Sequence, residues 1–173
     1  GTTSTMYARA IFEKLGADAV TLNPYLGKGA LQPFLNYKNK GCIILCRTSN
    51  PDAGEFQDHG KESGKPLWQK VAENVRDSWN EYGNCLLVVG ATHPDEMKAI
   101  REIVGDVPFL IPGIGKQGGE IIAAVQAGMD SKRQVMIINS SSAILYASKG
   151  RDFAQAARAK TEELHRAIVA ARI

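Results

Sequence analysis

The segment Pro112-Gly113-Ile114-Gly115-Lys116-Gln117-Gly118-Gly119 carries four glycines in seven positions, between a short apolar run and an amphipathic stretch. Glycine lets backbone N–H groups approach a phosphate, and a helix start just beyond adds partial positive charge. The chemistry such a loop suits is anion cradling. It is not a Walker loop, because no Gly-Lys-Ser/Thr occurs. Gly113-x-Gly115-x-x-Gly118 has the dinucleotide spacing, but Asp130 is a poor ribose-binding acid, since it precedes the next apolar run rather than ending it. A second donor-rich turn, Asn139-Ser140-Ser141-Ser142, ends that next run. Its hydroxyls and amides suit completion of an anion site, or simply a helix N-cap. A third loop opens with Arg47-Thr48-Ser49-Asn50-Pro51 and reaches Pro66 through Asp52, Glu55, Gln57, Asp58, His59, Lys61, Glu62 and Lys65. It reads either as a solvated surface loop or as a lid in contact with ligand.

Other chemistries find little support. His59, His93 and His165 share no metal-site spacing, and no Cys/His cluster implies zinc. His93-Pro94-Asp95 looks like a helix start, and His165 falls in the last amphipathic stretch, where exposure is expected. No Gly-x-Ser-x-Gly elbow occurs. Cys42, Cys46 and Cys85 lie in apolar runs. On a strand Cys42 and Cys46 would be ~13 Å apart, too far to bridge, so reduced core thiols in a cytoplasmic protein are expected.

Elements must hold these loops. Five apolar runs of strand length are 19–22, 42–46, 85–89, 108–111 and 135–138. They contain almost no internal polar residue, as in parallel strands covered on both faces. Amphipathic stretches lie at 3–15, with Tyr7, Ile11 and Leu15 on one stripe, and at 66–82, with Leu67, Val71, Val75 and Trp79. Further stretches lie at 95–104, 119–127 and 151–173. Gly16, Gly83, Gly105 and Gly128 are placed to stop four of them. A helix followed by five strand–helix units is an α/β pattern. The units alone fit an open doubly wound sheet or part of a closed barrel, and in both the ligand site lies at the carboxyl ends of the strands. Barrel enzymes commonly bind phosphate with the loops after their last two strands, which favours a barrel here.

The chain has 173 residues, 44% apolar and 23% charged, with 21 basic against 18 acidic side chains for a net charge of +3. These values exclude a disordered, collagen-like or disulfide-stapled chain. With no Lys/Arg stripe, nucleic acid is not an expected partner. No apolar run approaches the ~18 residues of a membrane span, so no membrane partner is expected. A charged-then-apolar signal segment is also missing from the first residues.

The set Asn23-Pro24-Tyr25, Arg47-Thr48-Ser49-Asn50-Pro51, Pro112 to Gly119 and Asn139-Ser140-Ser141 resembles orotidine 5'-phosphate decarboxylase, in the bacterial subgroup with Asn-Pro-Tyr and Thr-Ser-Asn-Pro signatures. The resemblance runs along the whole chain in order. It implies a (β/α)8 TIM-barrel type, with residues 1–173 one domain forming the C-terminal portion and holding its fourth to eighth strands. It also implies a homodimer without metal or organic cofactor that converts orotidine 5'-phosphate to uridine monophosphate (UMP). By this resemblance Ser49 bonds the pyrimidine ring, Gln117 closes over the ligand toward the phosphate, and the amides of Ser141 and Ser142 hold phosphate oxygens. Asn50, Pro112 and Gly118 belong to the same substrate-binding set, and Thr3 reaches into the neighbouring subunit's site.

Two departures from the family pattern stand out. The catalytic Asp-x-Lys-x-x-Asp motif, expected immediately before Gly1, does not occur in these residues. No catalytic residue is therefore assigned, and the 173 residues by themselves are expected to be inactive. Ser142 stands where family members usually carry an Arg that grips the phosphate. Such a charge-assisted contact contributes ~1.5–3 kcal/mol, roughly tenfold or more in affinity, and Lys116 is placed to compensate in part. The alternatives are a non-catalytic nucleotide- or phosphate-binding barrel fragment, or another phosphate-binding barrel enzyme such as a sugar-phosphate isomerase or aldolase. The latter needs a strand-end Lys, Asp or Glu, and none of the five apolar runs ends in one.

Overall fold

The five apolar runs become strands β1 Ala19–Leu22, β2 Gly41–Arg47, β3 Cys85–Val89, β4 Phe109–Pro112 and β5 Met136–Asn139. These come from a computed structural model that describes residues 1–114, 118–134 and 136–172. The strands form one sheet in the order β1-β2-β3-β4-β5, every neighbouring pair parallel. A doubly wound sheet reverses direction at a switch point, whereas this order advances one way throughout. The fold is α/β of the (β/α)8 type, with five strand–helix units in the described residues.

Eight helices accompany the sheet in the described residues: α1 Thr2–Arg9, α2 Lys28–Leu35, α3 Gly54–Gln57, α4 Leu67–Asn74, α5 Pro94–Val104, α6 Gly118–Gly128, α7 Ser142–Leu145 and α8 Phe153–Ala171. Strand residues alternate between two faces. Cys42, Ile44, Cys46, Cys85, Leu87, Val89, Phe109 and Ile111 join the helices in one core cluster. Ile43, Leu45, Leu86, Val88 and Leu110 alternate with them on the other, inner face.

Several local expectations change. α1 and α4 each continue as a wider i→i+5 turn, Ala10–Lys14 and Val75–Trp79. In the second case the expected four-residue stripe holds at Val71, Val75 and Trp79, all buried, while Leu67 is largely exposed. The wider turn absorbs the drift that four-residue steps make around a 3.6-residue helix. In the first case the stripe is displaced by one residue. Tyr7 and Leu15 are exposed, and Ala8 and Phe12 carry the core contact. The Phe12 ring lies 6.3 Å from Phe34 and 5.0 Å from Tyr37. Helix α2 is absent from the sequence expectation because Gly29 and Pro33 are poor helix formers. Burial of Leu31, Phe34 and Leu35 outweighs that preference. Gly128 remains helical rather than turning the chain. A β-carbon there would lie 2.7 Å from Ile111 Cδ1, so its role is close packing of α6 on β4.

The amino ends of the strands are stapled by two polar side chains, the half-buried Arg101 and the buried Asn84. Arg101 donates to the carbonyls of Gly105, Val107 (2.7 Å) and Gly128 (2.7 Å), and stacks 3.7 Å over the Phe109 ring. Burial lowers its pKa, opposed by the nearby charges of Asp130 and Asp106. Asn84 turns its amide N–H groups to the carbonyls of Leu35, Tyr37 and Lys40, at 3.1 to 3.2 Å, closing the turn after α2.

Candidate functional site

The carboxyl ends of β2 to β5 are tied into one platform. The Gly90 N–H donates to the Arg47 carbonyl at 2.7 Å, and the Ala91 N–H donates to the Pro112 carbonyl at 2.9 Å. Pro112 is in register with Asn139. The ladder thus runs past the strands and aligns the loops that the sequence singles out.

A bulge shapes the first of these loops. Leu45 pairs with Val88, but the next pair is Arg47 with Val89, so β2 holds one extra residue. Val89 belongs to the helix-side core, and the bulge brings Arg47 onto the same side. There the guanidinium reaches Asp58 Oδ2 at 3.2 Å and Gln57 Oε1 at 3.4 Å. Gln57 also clamps Thr48: its Oε1 accepts the Thr48 N–H at 2.9 Å, and its Nε2 donates to Thr48 Oγ1 at 2.8 Å. Thr48 Oγ1 in turn donates to Asn50 Oδ1. The adjoining Cys46 thiol donates to the Trp68 carbonyl, and burial pushes it up to about 12, so it is no nucleophile at neutral pH.

Ser49 rests on two glycines. A β-carbon on Gly90 would lie 2.7 Å from Ser49 Cβ and 2.8 Å from its backbone nitrogen. One on Gly113 would lie 3.3 Å from both Cβ and Oγ of Ser49. Gly113 has φ +92°, a left-handed conformation that L side chains rarely adopt. Ser49 is therefore held against the ends of β3 and β4, beside the start of the glycine loop.

The serine turn differs from a plain cap. Ser141 occupies the N-cap position of α7 but makes no side-chain cap bond. Its hydroxyl donates to Asn139 Oδ1 at 3.4 Å instead. First-turn amides have no intrahelical acceptor, and no side chain of the turn caps those of Ser142 and Ala143. Ser140 Oγ is buried without a hydrogen-bond partner.

Of the expected substrate-binding residues, Ser49, Asn50 and Ser141 lie in the loops of this platform, Pro112 ends β4 and Ser142 opens α7. Gly118 opens α6. Gln117 and Lys116 lie outside the described residues. Thr3 is exposed in the first turn of α1, and no described contact links it to the platform. Asn23-Pro24-Tyr25 has a local role: Asn23 Oδ1 accepts the Tyr25 N–H at 3.0 Å and caps the turn Pro24–Leu26. Three contributors were not foreseen, namely Gly90 as the floor under Ser49, and Gln57 and Asp58 as partners of Thr48 and Arg47. A glycine directly after an apolar run signalled the first, but nothing in spacing signalled the others. The loop expected as a solvated stretch or lid is mostly exposed and folds into short helical turns, from which Gln57 and Asp58 reach back to Thr48 and Arg47. Among the described residues no group of three or more His, Cys, Asp or Glu could hold a metal, and no helix is long and apolar enough to cross a membrane.

The family model described as "Orotidine 5'-phosphate decarboxylase / HUMPS family" matches residues 1–159. A protein of Cellvibrio japonicus named orotidine 5'-phosphate decarboxylase is 54% identical over 172 residues, which is 99% of this chain and 63% of that protein. A namesake from Aromatoleum aromaticum is 52% identical over 158 residues, 91% of this chain and 58% of that protein. The chain thus spans about three fifths of the length of these curated relatives. Among solved structures, Leishmania donovani OMP decarboxylase superposes with a TM-score of 0.83 at 34% identity, covering 98% of this chain and 64% of that one.

Proposed function

Because the chain belongs to the orotidine 5'-phosphate decarboxylase / HUMPS family, we propose that the protein carrying it decarboxylates orotidine 5'-phosphate to UMP in pyrimidine biosynthesis. The observation that carries this reading is the likeness to curated decarboxylases along nearly the whole chain. In this reading the present residues supply the binding half of the site. Ser49 meets the pyrimidine ring, with Asn50 and Pro112 beside it. The amides at Ser141 and Ser142 and the start of α6 at Gly118 take the phosphate, and Gln117 closes over it. Helix α6 offers the partial positive charge of its N-terminus to that anion.

Departure of carbon dioxide leaves a ring carbanion that must be protonated. A lysine does this in the family's Asp-x-Lys-x-x-Asp motif, which these 173 residues do not contain. Thr3 then belongs to the neighbouring subunit's site, in a homodimer that works without metal or organic cofactor. A reducing, cytoplasmic setting is supported by the three free, buried cysteines.

The test is decarboxylation of orotidine 5'-phosphate, followed by loss of orotate absorbance. The protein at its natural length is expected to turn over, and residues 1–173 alone are not. Turnover by residues 1–173 alone overturns this account of where the chemistry sits. No turnover by the natural-length protein overturns the function.

A further inference from the structure

We propose that Gln57, with the Arg47–Asp58 ion pair, is a positioning device that sets Ser49 against the substrate's base. The inference rests on the decarboxylase reading and extends it to residues that touch no substrate.

The bulge in β2 falls at Cys46, three residues before Ser49, and the pairing of β2 ends at Arg47. Beyond it, the Thr48 N–H is met by the side chain of Gln57 rather than by a neighbouring strand. Gln57 holds Thr48 at two points, backbone and hydroxyl, and the hydroxyl passes the constraint to Asn50. Ser49 lies between these two anchored residues. Ser49 itself packs on Gly90, which leaves no room for a β-carbon, and closely on Gly113. A clamp on its neighbours and a floor beneath it thus fix the same residue.

The ion pair fits this role better than a stabilising one. Arg47 is 4% exposed, and its Nε and Asp58 Oδ1 are both buried without a hydrogen-bond partner. An incompletely bonded buried pair is a poor source of stability compared with apolar packing. What it does provide is a fixed distance between the end of β2 and the turn after α3. That distance brings Gln57 within reach of Thr48.

The test uses the protein at its natural length, with UMP and ribose 5-phosphate binding measured by calorimetry. Ribose 5-phosphate lacks the base, so it reports on the phosphate end alone. Gln57→Ala is expected to weaken UMP about tenfold, ~1.4 kcal/mol, and to leave ribose 5-phosphate within about twofold. In a Ser49→Ala background the same change should have no further effect, because coupled residues are not additive. Gln57→Glu keeps the acceptor contacts to the Thr48 N–H and Arg47 but loses the donation to the Thr48 hydroxyl, and should fall between the unaltered protein and Gln57→Ala. Asp58→Asn should reproduce the pattern of Gln57→Ala, and it keeps the test decisive if Gln57→Ala does not fold. Equal weakening of both ligands, additivity with Ser49→Ala, or unchanged UMP binding in the Gln57 and Asp58 variants overturns the inference alone. If the unaltered protein fails to bind UMP, or Ser49→Ala leaves UMP binding intact, the decarboxylase reading of Ser49 falls with it.

Discussion

Replacing Gly90 by alanine tests whether the contact beneath Ser49 matters for turnover. Gly90 does not have positive φ, so alanine can adopt its backbone conformation. The cost is steric. The new methyl would stand 2.7 Å from Ser49 Cβ, 2.8 Å from its nitrogen and 2.9 Å from its Cα. No side-chain rotation relieves contacts with the backbone. Carbon atoms settle at about 3.5–4.0 Å, so Ser49 must retreat by about 1 Å. The hydrogen bond that the decarboxylase reading proposes from its hydroxyl to the base, ordinarily ~2.8 Å, would then be lost. The loss of the bond alone is worth roughly tenfold, and a misplacement of about 1 Å near reacting atoms can reach ~10²-fold. Overpacking should also cost about 1–3 kcal/mol of stability. The assay is kcat/KM for orotidine 5'-phosphate in the natural-length protein, alongside denaturant unfolding. The expected result is a folded Gly90→Ala variant with kcat/KM reduced ~10- to 100-fold. Gly29→Ala is the control: it is exposed in α2 with no atom within 4 Å of a new β-carbon, and it should leave kcat/KM unchanged. A folded Gly90→Ala enzyme within about twofold of the unaltered one would refute the reasoning.

Other expectations are as direct. Ser142→Arg adds a charge at the first residue of α7 and should tighten UMP binding about tenfold or more; unchanged calorimetric affinity would remove residue 142 from the proposed phosphate site. Arg101→Met strips hydrogen bonds from three carbonyls and should cost about 2–4 kcal/mol of unfolding free energy, with kcat/KM preserved because the staple lies at the opposite end of the sheet. The thiols of Cys42, Cys46 and Cys85 are raised by burial to about 11, about 12 and about 12. A thiol reagent at pH 8 should label them only on unfolding. Since the unfolded thiols ionise first, stability should fall as pH rises from about 9 toward 12, and Cys42→Ala should flatten the decline in denaturant midpoint.

The strands were legible because each is a short apolar run with a polar or Gly/Pro end. Observed β1 and β3 coincide with the expected runs, β2 and β4 differ by a residue at both ends, and β5 runs one residue further at its carboxyl end. Helices were legible where periodicity was strong, as in α5 with Met97, Ile100 and Val104 buried. Periodicity failed where backbone geometry departs from 3.6 residues per turn, as at Phe12, or where burial overrides a proline, as at Pro33 in α2. The loops of the candidate site could be read as donor-rich and glycine-rich. Their mutual support could not, since the Gln57–Thr48 clamp closes a loop of no regular spacing and the Ser49–Gly90 contact joins residues from different units. The bulge that turns Arg47 toward Asp58 leaves no compositional mark, because Cys46 looks like any other apolar strand residue.

The Arg101 and Asn84 staples and the serine-bearing loops occupy opposite ends of the same five strands. Cohesion and the proposed recognition are thereby assigned to separate rims of one scaffold. Loops on the serine-bearing rim can be lengthened, exchanged or retuned while the far rim stays sealed. A lineage, or an engineer, can therefore explore new specificities here without first finding a more robust parent.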